Sequence, residues 1–234
     1  MGNERTVWVR PPRAGEKPAH LTIFLDAELY RDRVGAVATI EALDTASAIA
    51  PSWFVFVSYA TEEARWRECP CYPPFARFVA DELLPWLEET YPAIQASEGR
   101  VLVGLSYTGL AAAFVALQEV GKFGKIIAQS GSFWSDDCWL VEQYRKREKQ
   151  LPTDFYLDVG SKETDVDVQH KEDVRQVVSQ IDAVRRFRDV LLGQDYRVKY
   201  LEFEGGHDCA AWEKTLPDAL RWALPAGAPR LTAR

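Results

Sequence analysis

Residues 101–114 read VLVGLSYTGLAAAF, and few folds accommodate such a stretch. Val101, Leu102, Val103 and Leu105, interrupted only by Gly104, have the unbroken apolar character of a parallel strand buried on both faces. The alanine-rich run after Gly109 has the small side chains of a helix packed tightly on that strand. Ser106 sits on the turn between the two, where a strand-to-helix reversal pushes a hydroxyl out of the top of a sheet. Backbone N–H groups at the start of the helix then face any negative charge that develops beside it. The usual spacing of such a turn is G-x-S-x-G; here Thr108 fills the second glycine slot and Gly109 follows one place later.

The flanking sequence supplies the rest of an open, mainly parallel α/β sheet with helices on both faces. Strands are expected at 5–10, 20–26, 53–59, 124–130, 153–160 and 196–203, the first ended by Pro11 and Pro12 and the last alternating like an edge strand. Between them, helices are expected at 35–47, from 75 onward with a bend at Pro85, at 137–150, over the amphipathic stretch carrying Val174, Val177, Val178, Ile181, Val184 and Leu191, and at 209–224. Residues 26–30 read as a loop and 61–74 as a long irregular loop forming a substrate wall. At 234 residues and 47% hydrophobic content, the chain is expected to form one domain over 1–234.

A net charge of −7 argues against nucleic acid or an anionic membrane as partner. The first twenty residues have no apolar core of a signal peptide, and no later segment offers an uninterrupted apolar span, so the chain reads as soluble and cytoplasmic. Its four cysteines lack both a secreted-type framework and C-x₂-C spacing, which predicts free thiols and no metal site. No cofactor is expected, and oligomeric state is left open.

A serine hydroxyl needs a base, and the base needs an orienting partner. Of three histidines, His20 precedes a strand at the wrong edge of the sheet and His170 reads as the polar start of a helix. His207 follows the last strand behind Gly205 and Gly206, which delivers it to the edge that carries Ser106. The acid is expected in the loop after the penultimate strand: Glu163 is favoured over Asp165, with Asp158 inside the strand itself. Oxyanion donors are expected from the Tyr107 N–H and from Ala27 or Glu28 after the second strand. The chemistry implied is acyl transfer to Ser106 followed by hydrolysis.

Asp26, the segment RWRECPC at 65–71, ELLP at 82–85, the serine turn, QSGSFW at 129–134, and GGHD at 205–208 followed by Trp212 carry a family resemblance. Over residues 22–224 the chain resembles the catalytic domain of the enterochelin (enterobactin) esterases, within the Putative esterase family of α/β-hydrolases. The resemblance implies an α/β-hydrolase fold and a serine esterase with Ser106, His207 and Glu163 as its triad. It also implies that Arg65 meets an anionic substrate, the trilactone of a catecholate siderophore. The pattern is broken at Thr108, in place of glycine, and at Tyr72, in place of asparagine. A ferric catecholate calls for aromatic faces beside cations, and Trp66, Phe133 and Trp134 with Arg65, Arg67 and Lys162 are the residues that could provide them. The competing readings are an esterase or thioesterase for another small ester, feruloyl-type included, and a catalytically silent binding protein.

Overall fold

The computed structural model describes residues 1–97 and 99–226. In chain order the elements are β1 (Val7–Arg10), β2 (His20–Leu25), α1 (Ala27–Asp32), α2 (Ala36–Thr45), β3 (Ser52–Val57), α3 (Glu62–Glu68) and α4 (Pro73–Arg77). A π-helical turn over Phe78–Leu83 leads into α5 (Leu84–Thr90), then β4 (Gly99–Leu105), α6 (Ser106–Gln118), β5 (Lys125–Gln129) and α7 (Ser135–Arg145). The chain continues through β6 (Asp154–Gly160), β7 (Val168–Lys171), β8 (Val174–Gln176), α8 (Gln180–Gly193), β9 (Val198–Phe203) and α9 (Cys209–Ala223).

Seven strands form one sheet in the order β1-β3-β2-β4-β5-β6-β9. β1 alone pairs antiparallel, against β3; every other neighbour is parallel. Parallel neighbours need crossover connections, and these place helices on both faces of the sheet. One face packs under α1, α2 and α9, around Tyr30, Ile40, Leu216 and Leu220. The other packs under α4 through α8, around Phe75, Leu110, Phe155 and Phe187. Each fully buried Leu or Phe among them contributes roughly 1.5–3 kcal/mol.

Residues Tyr107 through Leu117 of α6 are all buried, which is why that helix is apolar all round rather than amphipathic. Its alanines let it lie close on β4 and β5 between the sheet and the outer helices. Strand register then gathers the functional ends: Leu105 pairs with Gln129, Gln129 with Asp158, and Gly160 with Phe203. The segments that leave β4, β5, β6 and β9 therefore emerge along one edge of the sheet.

Four expectations from the sequence need correction. Residues 26–30 are not an open loop, since α1 begins at Ala27 directly after β2. The 61–74 stretch is largely helical: the Thr61 hydroxyl accepts the Ala64 N–H (3.1 Å) and starts α3. The long helix from Val174 is replaced by a β7–β8 hairpin, with α8 starting only at Gln180 behind a Ser179 cap that accepts the Asp182 N–H (3.2 Å). His170 consequently lies on a strand rather than at a helix start. The bend at Pro85 takes the form of the π-helical turn just before it, where the ladder absorbs an extra residue.

Candidate active site

Ser106 opens α6 with φ of 51°, the left-handed region that non-glycine residues occupy only under constraint. The constraint is the tight approach of helix to strand. A Cβ on Gly104 would lie 2.1 Å from the Thr108 carbonyl oxygen, so only glycine lets β4 turn into α6 this sharply. Thr108 strengthens the same turn: its hydroxyl accepts the Leu105 N–H (3.0 Å) and lies 2.8 Å from the Leu105 carbonyl. The consequence is a half-buried hydroxyl held at the edge of the sheet, facing the cavity.

His207 Nε2 lies 2.9 Å from Ser106 Oγ, and His207 Nδ1 lies 2.6 Å from Glu163 Oε2. Glu163 itself is buried, its side chain 1% exposed, so its negative charge depends on directed donors. Its second oxygen, Oε1, accepts the Gly160 N–H (2.7 Å) and the Ser130 hydroxyl (2.6 Å). Ser130 Oγ in turn accepts the Trp212 indole N–H (3.0 Å), and the Trp212 ring meets the His207 ring edge-on at 4.9 Å. The two loops that carry Glu163 and His207 are joined by backbone bonds: Ser161 N–H donates to Phe203 O (2.8 Å) and Lys162 N–H to Gly205 O (2.9 Å). Gly160 makes that join fit, since a Cβ there would meet Gly205 O at 2.5 Å.

Of the three carboxylates considered from the sequence, Glu163 is the one in contact with His207. Asp165 lines the adjoining cavity. Asp158 is fully buried below, where its carboxylate accepts the Ser130 N–H (3.2 Å), and burial pushes its carboxyl up to about 7. Tyr107 is the second residue of α6, and Ala27 and Glu28 are the first two of α1. N–H groups at such positions have no carbonyl within their own helix to bond.

A cavity of about 330 Å³ opens beside Ser106. Arg65, Trp66, Tyr107, Trp134, His170 and Gln180 line it together with Ser106 and His207. The aromatic rings touch in a cycle: Trp66 on Tyr107 at 5.0 Å, Tyr107 on Trp134 at 5.5 Å, Trp134 stacked on His170 at 5.0 Å, and His170 against Trp66 at 6.3 Å. Gln180 fixes one wall, accepting the Trp134 indole N–H (2.6 Å) and donating to the Ser130 and Gly131 carbonyls. On the other side of Ser106 and His207 lies a second, shallower cleft of about 500 Å³ that includes Leu29, Arg33, Tyr59 and Cys209.

Several proposed ligand contacts are placed elsewhere. Phe133 is fully buried against Phe187 at 4.1 Å; its ring turns into the core and takes no part in the cavity wall. Arg67 is bound to Glu68 (3.1 Å), and neither it nor Lys162 lines the cavity. Arg65 lines the cavity beside these rings, and Lys171 places Nζ 4.8 Å from the Trp66 ring centre. His170 escapes a sequence reading because its place depends on a hairpin; Ser130 stands in the QSGSFW segment, but nothing in that segment says that its hydroxyl reaches Glu163.

The cysteines are free thiols. Among the described residues no cluster of three or more His, Cys, Asp and Glu side chains is arranged to hold a metal ion, and no helix is long and apolar enough to cross a membrane.

Residues 1–223 match the family model described as "Putative esterase". The iron(III) enterobactin esterase of Dickeya dadantii (strain 3937) is 28% identical over 238 residues, covering 100% of this chain and 55% of that protein. The protein of the same name from Escherichia coli (strain K12) is 25% identical over 234 residues, covering 94% and 54%. The chain thus spans about half the length of the curated relatives it matches. Among solved structures, the enterobactin esterase of Shigella flexneri crystallised in the presence of enterobactin superposes with a TM-score of 0.76 at 23% identity, covering 92% of this chain and 54% of that one. A ferulic acid esterase superposes with a TM-score of 0.69 at 16% identity, covering 94% and 92%. At these identities the superpositions speak to the fold, which is that of the α/β-hydrolases.

Proposed function

The chain belongs to this esterase family, and we propose from that premise that it hydrolyses carboxylic esters through a covalent acyl-serine formed at Ser106. The observation that carries the reading is the unbroken line of contacts from Ser106 through His207 to the buried Glu163. In the first half-reaction Ser106 Oγ attacks the ester carbonyl carbon while His207 Nε2, 2.9 Å away, takes its proton. Glu163 fixes the tautomer in which Nε2 is free to do so and stabilises the imidazolium that results. The carbonyl oxygen becomes an oxyanion facing the Tyr107 N–H and a second N–H at Ala27 or Glu28. His207 then protonates the departing alkoxide, and a water activated by the same nitrogen releases the acid.

The cavity walls support a reading of the substrate class. Trp66, Tyr107 and Trp134 offer broad aromatic faces, and Arg65 supplies positive charge in the same lining, which also holds the acidic Asp165; Lys171 lies outside the lining but over the Trp66 ring. That combination favours an anionic ester bearing planar aromatic groups, and the relatives named as enterobactin esterases support a catecholate siderophore trilactone or its linear fragments. An aryl ester of the feruloyl type shares the aromatic requirement but not the negative charge.

The deciding comparison is kcat/KM for a cyclic catecholate trilactone, with and without bound ferric iron, against ethyl ferulate and p-nitrophenyl acetate, using wild type and Ser106→Ala. Trilactone turnover about a thousandfold above the simple ester, and lost in the variant, fits the siderophore assignment. Preference for ethyl ferulate keeps the mechanism and replaces the substrate. Activity that survives in Ser106→Ala contradicts the acyl-serine itself.

A further inference from the structure

Asp26 stands at the junction of β2 and α1 with φ of 62° and ψ of 56°, a left-handed conformation that costs a non-glycine residue about 1 kcal/mol or more. An aspartate before a helix ordinarily accepts an N–H of that helix, yet this side chain makes no such bond. Its carboxylate is turned inward instead, 1% exposed. There it accepts Arg65 Nε at 2.9 Å on both oxygens and Arg65 Nη2 at 2.7 Å on one. The Thr108 hydroxyl lies 3.1 Å from that same oxygen. One carboxylate therefore joins the end of β2, the helix α3 and the first turn of α6.

The neighbours of these contacts are the groups that matter for chemistry. Ala27 follows Asp26 directly with Glu28 next, and Tyr107 precedes Thr108; these are the residues whose N–H groups are proposed above as the oxyanion donors. We propose that Asp26 is a positioning residue that sets the gap between the two oxyanion donors through Thr108 and holds Arg65 toward the cavity, an inference that rests on the acyl-serine reading. Arg65 spends Nε and Nη2 on this contact, which leaves Nη1 for an anionic ligand. Although burial works against its charge, the Asp26 carboxylate keeps the Arg65 guanidinium above its ordinary pKa. Thr108, the residue that departs from the glycine pattern, gains a purpose here: its hydroxyl bridges Asp26 to the strand end at Leu105.

A purely structural ion pair would affect stability and leave turnover per folded molecule intact. The test therefore measures p-nitrophenyl butyrate hydrolysis, with active sites counted by complete fluorophosphonate labelling, for Asp26→Ala, Thr108→Val, Thr108→Ser and the Asp26→Ala/Thr108→Val double variant. Asp26→Ala and Thr108→Val are each expected to lower kcat by about tenfold or more, with KM held within about threefold. Because Glu163 and His207 are untouched, the pH midpoint of kcat stays where the wild type has it. Thr108→Ser keeps the hydroxyl and restores kcat to within about threefold of wild type, and the double variant falls no further than Asp26→Ala, as two residues acting as one unit require. A kcat per active site within about twofold of wild type in Asp26→Ala, a fully additive double variant, or a displaced pH midpoint overturns the proposal. Should Asp26→Ala fail to fold, the Thr108 pair decides: loss in Val with rescue in Ser supports it, and wild-type kcat in Val overturns it. A wild type that neither turns over the ester nor takes the label overturns the acyl-serine reading instead.

Discussion

Replacing Glu163 by glutamine keeps the shape of the site and removes one charge, which makes the consequence calculable. Glu163 Oε1 accepts two donors, the Gly160 N–H at 2.7 Å and the Ser130 hydroxyl at 2.6 Å, so the amide oxygen of a glutamine is drawn to that side. Its NH₂ group is then left facing His207 Nδ1, at the position where Oε2 now lies 2.6 Å away. An NH₂ donor requires Nδ1 to accept, which moves the ring proton to Nε2 and points it at Ser106 Oγ. The base is lost although no side chain has moved. A wrong-tautomer site of this kind loses about 10⁴-fold in kcat, equivalent to about 5 kcal/mol of transition-state stabilisation. KM depends chiefly on the aromatic and Arg65 walls of the cavity, which keep their side chains in this variant, and stays within about threefold. Steady-state hydrolysis of p-nitrophenyl acetate between pH 6 and 9, beside a thermal melt to establish folding, is the assay. A folded Glu163→Gln that keeps more than about a tenth of wild-type kcat refutes the reasoning.

Further outcomes follow from the same geometry. Gly104→Ala places a Cβ 2.1 Å from the Thr108 carbonyl oxygen, against backbone that cannot yield, and is expected to cost about 3 kcal/mol or more in urea denaturation or to prevent folding. Burial raises the Asp158 carboxyl to about 7, so between its unfolded value and pH 7 the folded state binds the extra proton and stability falls as pH rises. Asp158→Asn removes that slope, worth up to about 4 kcal/mol between pH 4 and 8; a wild type and variant with parallel pH–stability curves would contradict it. His170→Ala strips the ring stacked on Trp134 and is expected to raise KM for aryl esters by about fivefold while leaving kcat within about twofold, read from parallel kinetics on aryl and acetyl esters.

The parts of this fold that sequence made legible are those set by local chemistry. The run VLVG followed by a small-residue helix admits little except a buried strand turning sharply at Ser106, and the paired glycines ahead of His207 locate that ring at the same edge. Glu163 is only partly readable: the loop after the penultimate strand also holds Asp165, and the contact of Glu163 Oε2 with His207 Nδ1 (2.6 Å) is what separates the two. What stayed hidden depends on contacts distant in sequence. Val174, Val177 and Val178 satisfy a helical period, but Gln176 between them turns inward to bond His170 (2.9 Å), and only the paired strand reveals this. Phe133 beside Trp134 looked like a second cavity wall, whereas Phe187 from α8 claims its ring for the core. The helical start at Thr61, followed by Glu62 and Glu63, was a readable signal: a capping threonine with acids in the first turn is the ordinary mark of a helix N-terminus.

The central claim is that Ser106 becomes covalently acylated with His207 as its base. Its most direct test is intact-protein and peptide mass spectrometry after exposure to a fluorophosphonate and, separately, after rapid acid quench during ester turnover. The account predicts one adduct per chain, located on the peptide containing Ser106, absent in Ser106→Ala and formed far more slowly in His207→Ala. An adduct on any other residue, or undiminished labelling of Ser106→Ala, would contradict it.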